Sequence, residues 1–208
     1  MTHTLHRIGT ADGLSGDYVI LCMRAAGIND VGSDAKLQEF LRIATDHDPK
    51  NIGSVRMNMF SHKPAEVIAN AHSIAHAVFD NQQAVTQVLR ELKQADLGLS
   101  IVVSGVLDSV NECCQQAGLK RHTVEFSLGI WGMTDKLPSN EVLEVTTLCG
   151  HAMVSPKLVE SMVADIRKGA KNPDGAAKEL ASHCCCGVFN PARAARLLAE
   201  MAGPDINP

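Results

Sequence analysis

Apolar positions recur along this chain with two different periods, and the period changes partway along. Near the N-terminus, Thr2–Ile8 reads as a short extended segment, Gly13-Leu14-Ser15-Gly16-Asp17 supplies turn chemistry, and Tyr18-Val19-Ile20-Leu21-Cys22-Met23 forms an apolar run expected of a buried strand. Leu37, Phe40, Leu41 and Ala44 then repeat at helical spacing, which predicts a helix over 34–46 stopped by Asp48-Pro49. Residues 51–60 fit an extended stretch. Val67, Ile68, Ala71, Ile74, Ala75 and Val78 make a stripe that predicts one helix from Pro64 to Phe79, and a further helix spans 81–97. Leu99-Ser100-Ile101-Val102-Val103 is the plainest strand, followed by a helix over 106–117 closed by Gly118. The alternation across His122–Ile130 predicts another strand.

After Pro138 the period-two signal disappears. Ser155-Pro156, Asn172-Pro173 and Asn190-Pro191 each put a side-chain cap before a proline at the first helical position, where its missing N–H costs nothing. Gly150 and Gly187 stand where helix C-caps are expected. The pattern therefore predicts an α/β or α+β fold: a small sheet covered by helices over 1–137, and a helical part over 138–208 packed on the same core.

Composition narrows the function classes. The 208 residues are 45% apolar and only 3% aromatic, with a formal net charge of −4. A chain so poor in aromatics and lacking a basic surplus has neither the stacking faces nor the cationic footprint of a nucleic-acid binder. No run approaches the ~18 apolar residues of a membrane span, and the first residues lack an apolar leader core, so a cytoplasmic protein is expected. In that reducing compartment, seven cysteines, three of them consecutive, read as metal ligands or reactive thiols in preference to disulfides.

The cysteines concentrate at two joints that echo one another. Leu148-Cys149-Gly150-His151 leads to Ser155-Pro156, and Cys184-Cys185-Cys186-Gly187 leads to Asn190-Pro191. Free N–H groups at a helix start favour anions and depress nearby thiol pKa values, so thiolates and a negatively charged cluster suit such joints. Arg193 and Arg196 share a face of the last helix near its N-terminus, which calls for an anion beside them: the cluster, or a carboxylate or phosphate of a small substrate.

Soft thiolates select iron–sulfur clusters, zinc or Cu(I). The chain has no Cys-x2-Cys pair and no ferredoxin spacing, and scattered ligands suggest a 4Fe-4S cluster housed in a larger fold, with zinc as the alternative. Cys149, Cys184 and Cys186 are the expected ligands, with Cys114 (or Cys113) as the fourth, and with Cys185 and Cys22 as packing residues. If only three cysteines bind, the open iron makes a lyase or hydratase; if four, an electron carrier or oxidoreductase serving a redox partner. His151 and His183, beside the cysteines, are the candidate acid–base groups or nitrogen ligands, with Arg193 as an anion-binding catalytic residue. His72 and His76 would share a helix face, but the Glu of a His-Glu-x-x-His site is missing. A metal-free thiol enzyme is the remaining alternative, and a homo-oligomer is compatible with all three.

Overall fold

The computed structural model describes Thr4, His6–Val55 and Met57–Gly203. The run Tyr18–Met23 (β1) lies in the middle of a five-stranded sheet, and its unbroken apolar character follows from burial on both faces. The other strands are Asn51–Ser54 (β2), Met57–Asn58 (β3), Ile74–Phe79 (β4) and Ser100–Ser104 (β5), in the order β3-β2-β4-β1-β5 with every pair antiparallel. Two β-α-β units therefore interleave. In one, β1 crosses through Ser33–Thr45 (α2) to β2; in the other, β4 crosses through Gln82–Ala95 (α4) to β5. This is the split β-α-β arrangement, and the fold is α+β, within the expected alternatives.

The period-two alternation of β1 sorts its side chains onto two cores. Tyr18, Ile20 and Cys22 pack with α2, α4, the short helix Pro64–Ala69 (α3) and Leu107–Gln116 (α5). Val19 and Leu21, with Val78 of β4, face the C-terminal helices Asn140–Thr146 (α6), Pro156–Arg167 (α7), Pro173–Ser182 (α8) and Pro191–Ala202 (α9). A four-residue helix, Ala11–Leu14 (α1), precedes β1. The three Xaa-Pro starts behave as expected: Ser155, Asn172 and Asn190 each accept a backbone N–H of the first turn.

Three expectations are corrected. The predicted helix from Pro64 to Phe79 breaks after Ala69; Ser73 takes a positive φ of 63° and the chain re-enters the sheet as β4. The apolar stripe was ambiguous because a central strand buries nearly every residue, and a continuous apolar run satisfies a helical stripe equally well. His122–Ile130, whose alternation predicts a strand, is in no strand among the described residues and lies exposed. Gly150 and Gly187 do not cap helices: α6 and α8 end at Thr146 and Ser182, and Gly187 takes a φ of +80° inside the following loop. Of the extended segment 2–8, residues 2, 3 and 5 lie outside the described residues, and Thr4 and His6–Ile8 are not in a strand.

Candidate metal centre

Two loops of the C-terminal helices meet over one face of the sheet. The first joins α6 to α7 and turns tightly at Cys149, whose carbonyl accepts the Ala152 N–H at 3.1 Å. The second joins α8 to α9 and turns at Cys184, whose carbonyl accepts the Gly187 N–H at 3.0 Å. The sheet grips this second loop by its backbone. Asn58 Nδ2 donates to the Cys185 carbonyl at 2.9 Å, Asn51 Nδ2 donates to that of Gly187, and the Arg7 guanidinium donates to that of Val188. The positive φ of Gly187 allows this approach; a Cβ there would lie 2.5 Å from Asn58 Cβ.

These contacts bring together side chains 35 residues apart in sequence. Cys184 Sγ lies 3.8 Å from Cys186 Sγ, and Cys186 Sγ lies 3.5 Å from His151 Nδ1. Cys149 and Cys184 are close enough for each thiol to shift the other's pKa. The neighbouring backbone favours thiolate at each sulfur, that of His151 and Met153 at Cys149, of Phe189 at Cys184 and of Val188 at Cys186. This favours thiolate over thiol, although at Cys149 and Cys184 other causes outweigh it.

The three thiols order themselves as donors and acceptors. The hydrogen bond to Cys184, reinforced by burial, holds the Cys149 thiol far above the ordinary range. The bond from Cys149 pulls Cys184 down, but its own bond to Cys186 and burial outweigh that, pushing Cys184 up to about 11. Cys186 ends the chain: the bond from Cys184 lowers its pKa despite burial. The expected thiol depression near helix starts thus holds for Cys186 alone, because the other two are buried and spend their protons on a neighbouring sulfur. Among the described residues, no group of three or more His, Cys, Asp or Glu side chains is placed so that it could hold a metal ion as it stands.

The remaining predicted site residues separate from this cluster. Cys114 packs with α4 and α5 against the opposite core, as do Cys113 and Cys22, so the sheet stands between Cys114 and the other cysteines. Cys185 is exposed and not packed. His183 is the C-cap of α8 and is exposed, whereas Cys184 and Cys186 after it are buried.

Arg193 is buried, and its anion is supplied by the chain itself. It pairs with Asp17 at 3.0 Å and Glu144 at 3.3 Å, and donates to the Ile8 carbonyl at 2.7 Å. Asp17 is also paired with Arg7 and accepts from Asn190 Nδ2 at 3.0 Å. Arg196 donates to the Gly13 carbonyl at 3.0 Å. The two arginines do share a face, and that face holds the 8–17 segment, so Arg193 is a structural ion-pair residue and not part of the cysteine cluster.

His76 is the neighbour the sequence pattern conceals. Once β4 is a strand, His76 pairs with Leu21 on one side and Gly53 on the other, on the face toward the C-terminal helices, whereas His72 is exposed. A Cβ on Gly53 would lie 2.5 Å from His76 Nε2 and 2.6 Å from the Cys186 carbonyl. The glycine therefore lets the imidazole and the cysteine loop close on one another. On the other side the cluster nears solvent: His151 is exposed, and a cleft of about 360 Å³ opens beside Cys149, lined by His6, Thr146, Ala152 and Ser155.

In comparisons with known proteins the chain matches no protein-family model, no curated protein and no solved structure. No helix among the described residues is long and apolar enough to cross a membrane.

Proposed function

We propose that Cys149, Cys184, Cys186 and His151 bind a single tetrahedral metal ion of the zinc class, tying the α6–α7 and α8–α9 loops together. The supporting observation is a pair of distances. With Zn–S near 2.3 Å and Zn–N near 2.0–2.1 Å, a regular tetrahedron has an S···S edge of about 3.8 Å and an S···N edge of about 3.5 Å. The Cys184–Cys186 and Cys186–His151 separations are 3.8 and 3.5 Å. Both separations share Cys186, as two edges of one tetrahedron would. The backbone that favours thiolate at all three sulfurs serves the same end, since hydrogen bonding around a metal site orients and stabilises its thiolates.

This geometry favours zinc over the 4Fe-4S cluster that scattered cysteines suggest. Each thiolate of a four-iron cluster sits on a different iron, so its sulfurs stand farther apart than two ligands of one ion. The fourth sulfur such a cluster would draw from Cys114 lies across the sheet. Three Cys and one His make a structural type of site, and its proposed role is to staple the helical layer.

A metal-free thiol reading has one observation in its favour: Cys186, with a lowered pKa, lies beside His151 in the manner of an activated cysteine. The test is analysis of anaerobically purified protein for zinc, iron and sulfide, followed by iodoacetamide labelling with and without chelator. One zinc per chain, no visible absorption and labelling of Cys186 only after chelation are expected. Iron with stoichiometric sulfide would restore the cluster reading. Metal-free protein with a fast-labelling Cys186 would establish the thiol reading.

A further inference from the structure

Among the described residues, seven of the eleven exposed large apolar side chains fall between Val124 and Leu137. They include the chain's single tryptophan, Trp131, at 81% exposure, with Phe126 at 66% and Leu128 at 86%. Elsewhere the scarce aromatics are spent on the core: Tyr18, Phe40, Phe79 and Phe189 are fully buried. A chain with 3% aromatic residues that leaves two of its largest in water on one segment concentrates there the side chains that dominate interface energetics.

The segment also has the form of a strand without a neighbour. Val124, Phe126, Leu128 and Ile130 alternate with Thr123, Glu125, Ser127 and Gly129. No backbone–backbone hydrogen bond joins 120–131 to another described residue. The arm is nevertheless anchored at its start and near its middle. It leaves α5 where Gly118 accepts from Lys93 Nζ at 2.8 Å, and it returns beside Ser104–Val106, where His6 Nδ1 and Ser127 Oγ are 3.1 Å apart. It runs near β5, the outermost strand at that side of the sheet.

We infer that residues 122–131 are the dimerisation strand of this protein, pairing antiparallel with the same segment of a second copy across a two-fold axis. The segment is self-complementary. In a register centred on Ser127, Phe126 faces Leu128, Val124 faces Ile130, and Glu125 faces Gly129, so the apolar stripes coincide and no like charges oppose. The stripe of Val124, Phe126, Leu128 and Ile130 offers on the order of 400 Å² per copy, about half the ~800 Å² per partner of a standard interface, which suits a reversible dimer. An alternating apolar strand left unpaired would instead be a site of open-ended aggregation, which closed two-fold pairing prevents.

The experiment is sedimentation equilibrium of the full chain over a wide concentration range, with acrylamide quenching of Trp131 on the same samples. A reversible dimer whose tryptophan becomes shielded as it forms is expected. Leu128→Glu should raise the dimer dissociation constant at least ~30-fold, the effect of losing a central interface anchor. It should leave the circular dichroism and the melting of the monomer unchanged, because Leu128 is already exposed. Val31→Glu, on a separate exposed loop, should leave the dimer intact. A monomer at all concentrations, a dimer indifferent to Leu128→Glu, or a tryptophan shielded in the monomer by its own sheet edge would each overturn the inference.

Discussion

Arg193→Met separates a structural arginine from a catalytic one, and its cost follows from the contacts it removes. The substitution fills the same buried volume with an apolar chain but withdraws the cation that faces Asp17 at 3.0 Å, Glu144 at 3.3 Å and the Ile8 carbonyl at 2.7 Å. Asp17, fully buried, keeps Arg7 and Asn190, so it loses one of two cationic partners and does not become an isolated charge. Breaking one side of a buried ion pair costs about 3–5 kcal/mol, and the surviving Arg7 places this site toward the lower end, near ~3 kcal/mol. Against a domain stability of about 5–15 kcal/mol, that is a large fraction. With a urea m-value of about 2–3 kcal/mol/M, the midpoint should fall by roughly 1–1.5 M. Arg193→Lys, which keeps the charge but not the planar fork, should recover part of the loss. The metal content of the folded variant should equal that of wild type, because the ion pair and the cysteine cluster share no ligand. A midpoint shift below about 0.3 M, or loss of bound metal from fully folded protein, would refute this account of Arg193.

Gly53→Ala forces a methyl group against His76 and the Cys186 carbonyl at separations of 2.5–2.6 Å, so it should destabilise by about 1–3 kcal/mol and weaken metal retention against a chelator; an unaltered chelation rate would argue that the loop is not clamped there. Metal affinity should rise with pH. Cys149 and Cys184 both hold their protons above the ordinary thiol range, so binding must release them, and log K should climb by at least about two per pH unit between pH 6 and 8. A flat profile in a competition titration would mean that these thiols are not ligands.

The parts of this molecule that were legible in its sequence are those decided locally. Ser155-Pro156, Asn172-Pro173 and Asn190-Pro191 fix helix starts within a few residues, and all three cap as expected. Cys149, Cys184 and Cys186 stand out by type and spacing, and the structure brings them together with His151. What escaped depends on partners distant in the chain. Ile74–Phe79 reads equally well as helix or strand until β1 and β2 are known to flank it, and with that assignment His76 moves from a surface helix to the wall of the site. Arg193 invites an external anion because nothing local to α9 reveals Asp17, 176 residues earlier. Cys114 attracts attention by residue type alone, and only the split of the sheet's two faces removes it from the cluster. The arm at 122–130 has a strand's pattern but pairs with no strand among the described residues.

Zinc-edge X-ray absorption on anaerobically purified protein tests the central claim most directly, because it reads ligand type and distance together. The account predicts a single zinc shell of three sulfurs at ~2.3 Å and one imidazole nitrogen at ~2.0–2.1 Å, with the nitrogen lost in His151→Ala. A four-sulfur shell, an oxygen-dominated shell, or protein that carries iron and sulfide in place of zinc would contradict it.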